Sequence, residues 1–199
     1  NYTTALKDEN LSEEVKAEYL ETIIESTERL SALVANILKL NKIENKKILP
    51  EKEEFDLCRQ LSDALLFFEG VWEEKDIELF VELEDRVIVN EVASFLDVIW
   101  HNLLSNAFKF TENGGKVSVI QTSTEDYVEV KIKDTGCGFD ESTKQHIFDK
   151  FYQGDTSHAE EGNGLGLALV QTVAERNGYN IMVESELGKG TEFTVKIKK

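Results

Sequence analysis

The chain has 199 residues, enough to bury one or two hydrophobic cores, and sets 39 acidic against 22 basic residues for a net charge of −17. That balance argues against a nucleic-acid binder, because phosphate contacts need a basic surface. No apolar run reaches membrane length and no signal peptide is visible, while Cys58 and Cys137 have neither metal-ligand nor redox spacing and read as reduced cytosolic thiols.

The first element predicted is a long amphipathic helix from Ser12 to Glu44, with Leu20, Ile23, Ile24, Leu30, Leu33, Val34, Ile37 and Leu38 on a broad stripe and Glu and Lys on the other face. Its length would be about 50 Å. A stripe that long cannot be buried against Asn1 to Asp8 alone, so a second chain is expected to cover it. The competing arrangement is a monomer in which the helix folds back on the rest of the chain. The run Asn45 to Pro50 holds the only proline and marks a boundary, which divides the chain into residues 1–45 and 51–199.

Beyond the boundary, Asp56 reads as the N-cap of a helix through about Glu74. Ile77 to Leu83 and Val87 to Val89 read as strands, and Asn90 as the cap of a helix ending near Thr111. Strands follow at Val117 to Thr122 and Tyr127 to Lys133, around a Ser-Thr-Glu-Asp turn. A helix from Leu165 to Arg176 ends at Asn177-Gly178, a good C-cap, and leads into strands Ile181 to Glu184 and Glu192 to Lys198. The expected fold is α+β: a helical segment followed by a two-layer α/β sandwich with a mixed, largely antiparallel sheet.

Three segments carry chemistry. Asn102, Asn106 and Lys109 stand at i, i+4 and i+7 of one predicted helix and share a face. A carboxamide oxygen is a hard ligand for Mg²⁺ and an ammonium is a point charge for phosphate, so the trio suits a nucleotide; an exposed pair of asparagines without function would look the same. The strand Tyr127 to Lys133 delivers Asp134 into Gly136-x-Gly138, where an acid can accept from an exocyclic amine and glycines admit a flat ring; an ordinary Asp-Thr-Gly turn is the alternative. Gly162-Asn-Gly-Leu-Gly-Leu opens a helix and frees its N-terminal N–H groups for an anion. It is neither a Walker loop nor a dinucleotide fingerprint.

In this order the segments resemble the catalytic half of a bacterial two-component sensor histidine kinase. Asn102 to Thr111 resembles the asparagine box and Asp134 to Phe139 the first glycine box. Ile147 to Tyr152 resembles the phenylalanine box, Gly162 to Leu167 the second glycine box, and Gly188 to Phe193 the terminal glycine-threonine motif. The resemblance implies a homodimer through the N-terminal helices and an ATP-binding catalytic domain that transfers the γ-phosphoryl group to a histidine, for relay to a response-regulator receiver domain. It implies ATP contacts from Asn102, Asn106, Lys109, Phe110, Asp134, Gly136, Gly138, Lys150, Gly162, Gly164, Leu165, Gly166, Leu167 and Thr191, with Mg²⁺ held through Asn106. A cytoplasmic domain is expected, its parent anchored in the bacterial inner membrane by regions outside this sequence.

The departures bear on mechanism. Nothing like the family's Ser-His-Glu-Leu-Arg-Thr-Pro phosphoacceptor segment occurs; Asn1 to Lys7 reads as the tail of that helix, and His101, His146 and His158 lie outside the bundle segment. Position 110 is Phe where the family often has Tyr, and Gln153 stands where many members have a lid arginine, leaving Lys150 to reach the γ-phosphate. The related ATPases (gyrase, the mismatch-repair ATPase and the heat-shock chaperone) typically carry a glutamate at the position of Asn102. An amide cannot take a proton near neutral pH, so hydrolysis of that type is not expected. A non-enzymatic ATP-binding dimerisation module is the other alternative.

Overall fold

The structure, a computed structural model, describes residues 12–44, 50–154 and 163–199. The readings placed on Asn1 to Asp8, on residues 45–49, on His158 and on Gly162 lie outside the described residues.

Helix α1 (Glu13–Glu44) matches the expected amphipathic run. Its last turns bury Leu40 and Ile43 in the main core, whereas Leu20, Ile24, Leu30, Val34 and Leu38 are exposed. At about 100° per residue the exposed set lies opposite Leu40 and Ile43, so the helix has one face committed to the rest of the chain and one apolar face left open.

A short strand β1 (Glu53–Asp56) pairs antiparallel with β3 (Ile88–Glu91), placing Glu54 opposite Asn90. Asn90 is therefore a ladder residue and not a helix cap, a correction to the sequence reading. The helix that follows starts behind Val92, which makes no side-chain capping bond. Asp56 does cap α2 (Leu57–Leu66), accepting from the Cys58 N–H at 3.1 Å. This helix does not run on to Glu74 as expected. It stops at Phe67, and α3 (Glu69–Glu74) resumes after Phe68. At the break Phe68 and Trp72 both meet the buried Phe108, with ring centroids at 5.4 and 5.7 Å.

The main sheet has the order β2-β4-β5-β7-β6, from β2 (Glu78–Glu82), β4 (Lys116–Ser123), β5 (Tyr127–Asp134), β6 (Asn180–Glu186) and β7 (Gly190–Lys198). β2 pairs parallel with β4 and every other neighbour is antiparallel, so the sheet is mixed and largely antiparallel. Period-2 alternation turns Val128, Val130 and Ile132 to the helix-covered face, opposite Ile197, Val195 and Phe193. Onto them pack Leu96, Ile99, Trp100, Leu103, Leu104 and Phe108 of α4 (Ala93–Phe110) and, after the one-turn α5 (Glu141–Lys144), Leu169, Val170 and Val173 of α6 (Gly166–Asn177). The other face carries Lys131, Lys133, Lys196, Glu129 and Glu192 in ion pairs within and between strands and stays solvated. The chain leaves α6 through Gly178 at φ 72°, the left-handed cap expected there.

Candidate functional site

The alternation that buries Val130 and Ile132 continues to the last residue of β5 and sends Asp134 to the same inner face, where it is 6% exposed. Its Oδ1 accepts from the N–H of Gly136 at 2.8 Å and of Thr191 at 3.2 Å. Burial pushes the carboxyl up to about 6, and those two amides pull against the rise without cancelling it. Gly136 has no room for a side chain: a Cβ there would press on the Phe110 carbonyl, so this turn and the end of α4 sit in direct backbone contact. The strand-end acid, the glycine turn and the terminal threonine turn, 57 residues apart in sequence for Asp134 and Thr191, form one polar corner.

A cleft of about 620 Å³ runs from this corner along α4 toward the start of α6. Asn102, Asn106, Lys109 and Phe110 line it from α4, Asp134 and Gly138 from the first glycine turn, Gly164, Gly166 and Leu167 from the second, and Thr191 from β7. Asn102 bonds its own helix through Nδ2 to the Val98 carbonyl at 2.7 Å, and a Cβ on Gly166 would lie 2.7 Å from its Oδ1. Its amide thus sits against the first turn of α6, and a side chain at position 166 would require that amide to move. The Asn106 carboxamide has no hydrogen-bond partner among the described residues. The Lys109 ammonium lies 4.5 Å over the Phe110 ring. A half-buried amide oxygen with no hydrogen-bond partner among the described residues suits a hard divalent cation, so the residues present fit Mg²⁺.

Among the described residues of the expected set, Gly136, Leu165 and Lys150 do not line the cleft; Gly136 instead donates its N–H to Asp134. Leu165 is 1% exposed and packs behind the cleft as the N-cap of α6. Lys150 is exposed on the turn preceding Phe151 and does not line the cleft; Phe151 takes φ 66° and its N–H donates to the Gly164 carbonyl at 2.8 Å. Gly162 lies outside the described residues. The Phe151–Gly164 bond closes the base of the segment between them.

Sequence reasoning placed Cys137, Phe139, Ile147 and Tyr152 within boxes and Gln153 at the lid position without assigning them to the site, and it missed Leu187 together with Ala32 and Asn36 of α1; all of these line the cleft. The last two share the face of Leu40 and Ile43, and their i, i+4, i+8 spacing was the available signal. It was hidden by the stronger apolar stripe on the opposite face.

Residues 91–199 match the family model for the histidine kinase-, DNA gyrase B- and HSP90-like ATPase, and residues 1–46 the His kinase A (phospho-acceptor) domain. The chain is 34% identical over 197 residues to drug sensory protein A of Synechocystis, covering 93% of this chain and 30% of that protein. It is 36% identical over 190 residues to the circadian input-output histidine kinase CikA of Synechococcus elongatus, covering 92% and 25%. The chain thus spans less than a third of the length of either relative. Full-length ShkA in complex with AMPPNP aligns with a TM-score of 0.76 at 26% identity, over 96% of this chain and 40% of that one. Histidine kinase ThkA in complex with response regulator protein TrrA aligns over the whole chain and 55% of that one with a TM-score of 0.81, and at 22% identity it shares the fold. The order of the boxes, the Asp134 corner and these matches agree, and the chain belongs to the histidine kinase-, DNA gyrase B- and HSP90-like ATPase family, in its sensor histidine kinase branch.

Proposed function

We propose that residues 51–199 bind ATP with Mg²⁺ and transfer its γ-phosphoryl group to a histidine, and that residues 1–45 belong to a dimerisation bundle. The observation that carries the nucleotide reading is Asp134: a buried strand-end carboxylate with Oδ1 held by two backbone amides, at the inner end of a cleft that also holds Asn106 and Lys109. Oδ2 is left to accept from the exocyclic amine of adenine, and Phe110 packs against the base. Asn106 would hold Mg²⁺ and Lys109 would meet the phosphates. A bound Mg²⁺ supplies charge neutralisation on the transferring phosphoryl group.

Asn102 supports kinase over ATPase chemistry. Its amide is bonded to the Val98 carbonyl and has no proton-accepting form near neutral pH, so no base stands at that position to activate water. The cleft would orient the nucleotide and keep water from it until a histidine arrives. The acceptor is not on α1, which carries no histidine. The open apolar face of α1, Leu20 to Leu38, supports a homodimer, and a response-regulator receiver domain is the expected relay partner. Among the described residues no helix is long and apolar enough to cross a membrane. A cytoplasmic location, with a parent anchored in a bacterial inner membrane, is part of the same proposal.

Incubation with γ-labelled ATP tests it. The chain is expected to bind ATP, acquire no label of its own, release little phosphate, and pass label to a separate bundle bearing the family's histidine. Acid-labile label on His101, His146 or His158 would overturn the assignment of the acceptor to another segment. Phosphate release that disappears in Asn106→Ala would favour the ATPase reading.

A further inference from the structure

The carbonyl end of α4 is closed by a residue from another element. Lys75, directly after α3, places its Nζ 2.9 Å from the carbonyl oxygens of Phe108 and Lys109 and 3.1 Å from that of Thr111. An ammonium has three donors and no acceptor, so its hydrogen-bonding capacity is spent on this one cluster. The last carbonyls of a helix lack intrahelical partners and carry the negative end of its dipole. Thr111 already directs its N–H and its hydroxyl to the Ala107 carbonyl, which leaves the carbonyls beyond Ala107 to Lys75. The lysine is itself fixed in place. Its carbonyl accepts from the Gly114 N–H at 2.8 Å, the Ile77 N–H returns to the Trp72 carbonyl at 2.9 Å, and the Trp72 ring lies against Phe108.

On the cleft side of the same turn stands Lys109, with its ammonium over the Phe110 ring. A lysine in the last turn of a helix is drawn back to that helix's own terminal carbonyls. Here a second lysine, reaching in from 34 residues away in sequence, holds those carbonyls. Resting on the reading of the cleft as an ATP site, we propose that Lys75 is a positioning residue for nucleotide phosphates: by filling the carbonyl end of α4, it leaves the Lys109 ammonium turned into the cleft. A cap with no such role would add stability alone.

Calorimetry with Mg·ATP and with adenosine, on the parent, Lys75→Met, Lys109→Met and the double variant, separates the two. Methionine keeps an unbranched apolar stem and removes the ammonium. The expected result is an ATP affinity about tenfold lower in Lys75→Met with adenosine affinity unchanged, and a double variant no weaker for ATP than Lys109→Met alone. Retained adenosine binding also reports that the variant is folded. Parent-like ATP affinity in Lys75→Met overturns the proposal, as do equal losses for ATP and adenosine, or additive losses in the double variant. A parent that binds neither ligand defeats the ATP reading itself, and the role of Lys75 falls with it.

Discussion

At one end of the cleft, Asp134 is buried and gripped by two backbone amides, with glycine turns pressed against neighbouring carbonyls. At the other, Asn106 and Lys109 are half-buried side chains on α4, facing the turns where the Phe151 N–H donates to the Gly164 carbonyl. The first end is built from main chain and tolerates little change. The second is built from side chains. Recognition of a flat base requires a donor–acceptor pattern at fixed distance, whereas phosphates require charge that can follow them.

The largest expected effect is on stability. Gly190 has φ 101°, and a Cβ there would run into the Asp134 carbonyl, so Gly190→Ala is expected to cost about 3 kcal/mol or more in denaturant unfolding. Gly154→Ala, which among the described residues would meet only the Thr143 Cγ2 at 3.4 Å, is expected to stay within about 0.5 kcal/mol. Similar losses at both positions would break the contrast between the two ends.

Asp134→Asn removes the carboxylate that faces the base and should weaken ATP and adenosine alike by about ten- to a hundredfold, read by calorimetry. Unchanged affinity would remove the adenine assignment. Asn106→Ala should act at the other end alone, making ATP binding equal with Mg²⁺ and with chelator while adenosine binding stays at the parent level. A surviving Mg²⁺ dependence would place the metal elsewhere.

A smaller, graded effect follows from the raised carboxyl of Asp134. Its folded-state value near 6 exceeds that of an unfolded aspartate, so its contribution to stability is fully present below the unfolded value and is lost as pH rises through about 6. Ligand binding runs the other way, because the base needs the ionised acceptor. Adenosine affinity should therefore fall below pH 6, approaching tenfold per pH unit. Asp134→Asn should flatten the profile, and an unchanged slope in that variant would assign the titration to another group.

Much of this contrast was legible in the chain. The apolar stripe of α1, the alternation that ends β5 on Asp134, and the Gly178 cap each rest on contacts within one element, which local pattern records. The misreadings lie where a distant partner decides. β1 has the sequence Glu-Glu-Phe-Asp, with no alternation to announce it, and exists because β3 pairs with it; that pairing takes Asn90 out of its expected capping role. The helix expected through Glu74 breaks at Phe67, where Phe68 and Trp72 meet Phe108 of another helix.

By itself, then, the sequence determined which residue types the site would hold and in what order, since box spacing, helical face and strand period are properties of a chain segment. Tertiary structure alone decided that β2 would pair parallel with β4, that Thr191 would donate to Asp134, that Lys75 would close the end of α4, and that Ala32 and Asn36 of the N-terminal helix would wall the cleft. Each of these joins groups far apart along the chain. Their meeting depends on how helices and sheet pack to bury a common core, and no local period encodes that.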